Sequence, residues 1–284
     1  MTETYLLTLS CPDKVGIIAA IARQMEDKGC FIARSRSFGD EDTGQFFTRL
    51  AFRPTRDSFE LDQFCKDFQP VADALEADFQ VARESDKLKT LILVSKSAHC
   101  ANALMAGARS GELAIDPVGF VSNHHTLGPA LSHWGVPYHQ VPVTAETKPE
   151  AEARLFDLID QTGAELIVLA RYMQVLSNDA CQRLSGRCIN IHHSFLPSFK
   201  GARPYHQAHA RGVKVIGATA HYVTSDLDEG PIITQVTEPV DHSHRPEDMI
   251  QIGRHLEAQA LMRAVRAHSE HRIFLSGHRT VILT

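Results

Sequence analysis

The apolar run Cys188-Ile189-Asn190-Ile191-His192-His193 ends in an amide and two imidazoles, and the chain then turns through Pro197 and Gly201. A second segment, Ser225-Asp226-Leu227-Asp228-Glu229-Gly230-Pro231, places carboxylates just before a Gly-Pro turn. Arg171 and Tyr172 follow a third apolar run, "AELIVLA". A polar turn that caps a helix or meets solvent would use the same residue types, so the chemistry decides how much weight they carry. An Asn amide donates to an oxygen that turns negative in a tetrahedral intermediate, and removing one such donor costs about 2.7–4 kcal/mol of barrier stabilisation. An imidazole moves a proton near neutral pH. An aspartate orients that imidazole or holds a water beside it. Asn, His and Asp with no nearby Ser or Cys nucleophile point to acyl chemistry without a covalent enzyme intermediate.

The other histidines carry less. His206 and His209 are three residues apart on a predicted helix, and His242 and His244 form an H-x-H. Neither pair has an evident acidic or Cys companion at ligand spacing, so no metal site is expected. His124 and His125 read as loop residues. His221 lies in an apolar strand and reads as a hydrogen-bonded core histidine. Lys200 and Arg203 follow the first motif, either to attract an anionic group or as solvated charge.

The elements that must position these groups alternate along the second part of the chain. "LKTLILVS", "AIDPVGFVSN", "YHQVPV", "AELIVLAR" and "CINIHH" read as strands, with helices near residues 98–109 and over "KPEAEARLFDLIDQT" between them. A continuous apolar run such as "LILV" suits a strand covered on both faces. The alternation predicts a doubly wound, mostly parallel, Rossmann-like sheet. "VKVIGATAHYVT" and "GPIITQVTEPV" extend it, and a helix over about 245–268 closes it. In such sheets ligands bind beyond the carboxyl ends of the strands, where the three polar tips fall.

The first part has another rhythm. A strand "TYLLTLSC", a helix carrying Val15, Ile18, Ala19, Ile21, Ala22 and Met25 at helical spacing, a hairpin around "DEDTG", a helix near 57–76 and a strand "DFQVARE" give the order βαββαβ. That order predicts a ferredoxin-like antiparallel sheet. The charged stretch "ESDKLKT", residues 84–90, reads as the linker, so the expected domains are 1–84 and 85–284. The fold class is α/β in two domains.

Bulk composition sets limits. With 284 residues and 43% hydrophobic content the chain can bury a sizeable core. A net charge of −5 gives no basic surface for nucleic acid. No run approaches 18 apolar residues, so no membrane span is expected. Six scattered cysteines without a C-x-x-C pair, and an N-terminus without a secretory pattern, lead to the expectation of a reducing cytoplasm. All 16 histidines lie at or beyond His99, which assigns any imidazole chemistry to the second domain.

Two resemblances sharpen this reading. "CPDKVGIIAAIARQMEDKGCFI" resembles the start of an ACT domain, a small regulatory module that binds amino acids and dimerises. The resemblance implies that Asp13 and Gly16 lie at a regulatory site, with glycine or methionine as the effector, and that the chain forms a homo-oligomer. From the residues alone, Asp13 also reads as a helix cap and Gly16 as a packing glycine. "NIHHSFLPSFKGARPYHQA" followed by "GATAHYVTSDLDEGPIITQ" resembles the folate-dependent formyltransferases, over about residues 88–280. This implies catalytic roles for Asn190, His192 and Asp228. It also implies a folate pocket lined by Met173, Gln174, Val175 and Leu176 of "LARYMQVLS" and by Thr224 and Leu227. Lys200 and Arg203 would then face the glutamate tail.

Within that family, an ACT module ahead of the formyltransferase module is similar to the 10-formyltetrahydrofolate deformylases. Two features separate the chain from relatives. "SKSAHCANAL" has no glycine to close on a phosphate, unlike the loop of glycinamide-ribonucleotide transformylases. It also stops soon after its last helix, where methionyl-tRNA formyltransferases continue into a tRNA-binding domain. His193 stands where the transformylases commonly carry proline. The expected reaction is hydrolysis of 10-formyltetrahydrofolate to formate and tetrahydrofolate, which supplies formate for purine synthesis, with folate as substrate and no cofactor. The alternatives are formyl transfer to glycinamide ribonucleotide and a non-catalytic, amino-acid-responsive folate-binding protein.

Overall fold

The computed structural model describes residues 3–55, 58–196 and 204–284. Pro197, Lys200, Gly201 and Arg203 lie outside the described residues. The chain divides into two compact units. The first holds the residues up to Asp86 with Glu270–Ser276 and Val281–Thr284; the second holds Lys87–Ser269 and Gly277–Thr280.

In the first unit, β1 (Tyr5–Pro12), α1 (Ile17–Asp27), β2 (Cys30–Asp40), β3 (Gln45–Pro54), α2 (Leu61–Leu75) and β4 (Asp78–Arg83) follow in order. The strands form one antiparallel sheet, β2-β3-β1-β4, which is the ferredoxin-like topology. Alternation along β1 and β3 turns Leu7, Leu9, Leu50 and Phe52 into the core. Ile17, Ile21 and Met25 of α1, four residues apart, meet them, as do Phe64 and Phe68 of α2. The helix face differs from the one expected. Gly16 has φ 96, a left-handed conformation that ends the preceding segment, so the helix starts at Ile17. Val15 therefore precedes the helix and is exposed, and Ile18 and Ala19 lie on its outer face. Gly16 itself holds the N-cap position; Asp13 does not cap the helix.

The second unit contains β5 (Leu88–Val94), α3 (His99–Ser110), β6 (Ile115–Ser122), α4 (Gly128–Leu131), β7 (Tyr138–Gln140), α5 (Lys148–Thr162), β8 (Leu166–Leu169), α6 (Asn178–Arg183), β9 (Cys188–His192), α7 (Pro204–Ala210), β10 (Val215–Tyr222), β11 (Ile232–Pro239) and α8 (Pro246–Ser269). Seven strands form one sheet in the order β11-β10-β9-β8-β5-β6-β7. From β9 to β7 neighbouring strands are parallel; β10 and β11 are antiparallel. On β5, Leu91 and Leu93 pack with residues of α5 and α6. Ile92 and Val94, equally buried, point to the opposite face, as the two-residue period requires. The reading that put a linker over 84–90 extends too far, because Leu88–Thr90 already belong to β5.

Beyond α8 the chain adds β12 (Ile273–Ser276) and β13 (Arg279–Ile282), a hairpin that the sequence reading did not contain. Each strand has four residues, the lower limit for reading alternation, and neither IFLS nor RTVI alternates. The hairpin also changes the division of the chain, since most of the last fifteen residues group with the first unit and not with 85–284.

Candidate active site

β9 and β10 together present the first three polar groups. Asn190 and His192 are two residues apart on β9 and so share a face. On β10, His221 lies directly opposite Asn190, and Thr219 opposite His192. Thr219 is fully buried, and its hydroxyl donates to the Ser194 carbonyl at 2.9 Å and accepts from the Leu196 amide at 3.1 Å. It thereby ties down the segment that leaves β9.

Asp228 arrives from the loop after β10. Its backbone is left-handed, φ 58, which is uncommon for a residue with a side chain and marks a constrained position. Gly230 makes the return possible. A Cβ there would lie 1.8 Å from the carbonyl oxygen of Tyr222, so only glycine lets the loop fold back on the end of β10. The Asp228 carboxylate then sits 3.2 Å from His192 Nδ1 and 3.7 Å from His221 Nε2.

Hydrogen bonding fixes the tautomers. His221 Nδ1 is 2.9 Å from the Tyr222 carbonyl oxygen, which can only accept, so Nδ1 carries the proton. Nε2 then accepts from Asn190 Nδ2 at 3.1 Å. This bond sets the orientation of the amide and leaves its second N–H for another acceptor. His192 Nδ1 donates to Asp228 in the same way, so His192 Nε2, buried and without a partner, holds the lone pair. The Asp228 carboxyl is held far below the usual carboxylate range, first by its hydrogen bond to His192, against the opposing effect of burial.

His193 stacks on His192, with ring centroids 4.9 Å apart. Burial, with the charges of Arg171 and His192, pushes its pKa down to about 4. Beside it lies a cluster that the sequence reading did not contain. Glu257 of α8 is buried and is met by His99 Nε2 at 2.8 Å, Arg171 Nε at 3.4 Å and the Tyr205 hydroxyl at 3.3 Å. The signal was a carboxylate between Leu256 and Ala260 in the buried stripe of α8. Among the described residues, His99, Cys100 and Glu257 are the one group whose donor atoms are close enough to share an ion. The Cys100 thiol, pushed far up by burial, stays protonated there.

Asn190, His192, His193, His221 and Asp228 line one cleft of about 660 Å3. Arg171, Tyr172, Met173, Gln174, Val175 and Leu176 form another part of its wall, and Thr224 and Leu227 a further part. The Met173 amide donates to Ser95 Oγ at 2.9 Å, and that hydroxyl donates to Asn123, which fixes the start of the 173–176 segment. The cleft thus gathers Asn190, His192, Asp228, Met173, Gln174, Val175, Leu176, Thr224 and Leu227, whereas Lys200 and Arg203, expected at the glutamate tail, lie outside the described residues. Asp13 and Gly16 are apart from it, in the first unit. His206 and His209 are exposed on α7, whereas His244 does have an acidic companion, Asp241, at 2.9 Å. His221, read as a core histidine, is buried as expected but also touches the site.

The formyl transferase family matches residues 88–265, from β5 into α8. A formyltetrahydrofolate deformylase of Corynebacterium sp. (strain P-1) is 48% identical over 279 residues, covering 98% of this chain and 98% of that protein. The chain belongs to the formyltetrahydrofolate deformylase family. The crystal structure of a formyltetrahydrofolate deformylase from Burkholderia mallei superposes with a TM-score of 0.95 at 48% identity, over 99% of this chain and 100% of that one. A glycinamide ribonucleotide transformylase from Symbiobacterium toebii matches 70% of this chain and 95% of its own, with a TM-score of 0.66 and 30% identity. The deformylase likeness therefore extends through both units, and the transformylase likeness covers a smaller share of the chain. No helix among the described residues is long and apolar enough to cross a membrane.

Proposed function

We propose that the chain hydrolyses 10-formyltetrahydrofolate to formate and tetrahydrofolate. The observation that carries this is the convergence of Asn190, His192 and Asp228 on one cleft, in a chain alike to deformylases along its whole length. Asp228 holds His192 by Nδ1, and His192 Nε2 takes a proton from water. The water oxygen bonds to the formyl carbon while the carbonyl electron pair moves onto its oxygen. The free N–H of Asn190 and the newly protonated His192 stabilise that charge. Collapse breaks the bond from carbon to N10, the proton goes to N10, and formate and tetrahydrofolate leave. Met173, Gln174, Val175 and Leu176 pack against the pteridine, and Thr224 and Leu227 meet its polar edge. The reaction needs no resident cofactor.

The first unit acts as an ACT-type module that receives glycine or methionine near Asp13 and Gly16. Free N–H groups at the start of α1 and the left-handed Gly16 support a carboxylate there. The chain assembles as a homo-oligomer and works in the cytoplasm. The test is to mix the protein with 10-formyltetrahydrofolate alone and follow tetrahydrofolate and formate. Equal release of both is expected. Release that requires added glycinamide ribonucleotide would contradict the proposal in favour of transfer. Titrating glycine and methionine into the same assay tests the effector site, and unchanged rates with both would remove it.

A further inference from the structure

The hairpin after α8 contributes to the cleft. Its turn, Gly277 and His278, groups with the second unit, as do Arg279 and Thr280 at the start of β13. Thr280 Oγ1 donates to the carbonyl oxygen of Ile232 at 2.6 Å. Ile232 opens β11, two residues beyond Gly230, and lines the cleft. His278, inside the turn, is exposed and lines the same cleft. The formyl transferase match ends at residue 265, so this imidazole comes from beyond that segment.

We propose that His278 is a substrate-binding residue whose imidazole donates a hydrogen bond to a carboxylate of the folate's glutamate tail. The proposal rests on the deformylase reading above. In the substrate the formyl group sits on N10, between the pteridine and the aminobenzoylglutamate. With the formyl carbon at Asn190 and the pteridine against residues 173–176, the aminobenzoylglutamate extends away from them along the wall that Ile232 and His278 share. Ile232 is exposed there and suits the benzoyl ring. The exposed carboxylate of Asp226 on the wall repels the tail. His278 is the exposed imidazole among the lining residues, and the Thr280 anchor holds its turn against β11.

The test compares 10-formyltetrahydrofolate with 10-formyltetrahydropteroate, which lacks the glutamate. For His278→Ala, KM for the first substrate is expected to rise about tenfold, the effect of one hydrogen bond to a charged group. The turnover number stays within about twofold, because the site of attack is untouched. KM for the pteroate stays at the wild-type value. His278→Gln, which keeps a donor, recovers most of the loss. An unchanged KM for the folate, or an equal rise for both substrates, overturns the assignment to the tail. Absence of hydrolysis by the wild-type protein would instead overturn the deformylase reading, so the two failures are distinguishable.

Discussion

His193 has a cost that its neighbours make visible. It packs beside Arg171, His192, Glu257 and Asp228, and its pKa falls to about 4. A free histidine titrates near 6.5. Between those values the unfolded chain binds a proton that the folded chain refuses, so folding stability falls as the pH drops through this window, by up to about 3 kcal/mol. Asp228 does not add to that slope, because its depressed carboxyl loses its contribution only below the unfolded value near 4. Urea unfolding at pH 7 and pH 5 tests this: His193→Gln is expected to lose less stability on acidification than the wild-type protein. Identical losses would contradict it. At this scale much of the site was legible. Asn190, His192 and Asp228 stood out because an amide, an imidazole and a carboxylate at strand ends have no packing use. His221 reads from sequence as a core residue because it is one, while its bond to Asn190 depends on strand register. Glu257 and His99, 158 residues apart, gave no local sign of meeting.

The element that decides the site is the loop between β10 and β11. Gly230 allows it to fold over Tyr222, and that fold brings Asp228 to the two imidazoles. Gly230→Ala drives a methyl carbon into a backbone carbonyl, which cannot move without breaking the β9–β10 pairing. A loss of about 3 kcal/mol or more is expected, with most of the activity. Thermal unfolding and a rate assay check it; a variant with wild-type melting and turnover would contradict the role given to the glycine. The parallel part of the sheet could be read from its sequence because Leu91–Val94 and Leu166–Leu169 are apolar without interruption. The antiparallel turn of β10 against β9 could not. The direction of a strand follows from how the chain returns to the sheet, and a run of apolar residues is the same in either sense. The β12–β13 hairpin escaped for a different reason, its four-residue strands lying at the lower limit of length at which alternation can be read.

At the scale of the molecule, the acidic first part, the histidine-bearing second part and the change from antiparallel to βα rhythm all marked a division near residue 86. What composition did not show is that the final residues return to the first unit. A chain end that regroups in this way depends on tertiary packing alone. The full-length likeness to deformylases, against the partial likeness to a transformylase, gives the two-unit chain a single chemical purpose: water in place of an acceptor substrate. In the proposed mechanism that purpose stands on the contact between Asp228 and His192. The most direct measurement is Asp228→Asn, read as turnover and as affinity for a non-hydrolysable folate analogue. Turnover is expected to fall about a hundredfold or more, with affinity within about threefold of wild type. Hydrolysis at the wild-type rate by that variant would contradict the account.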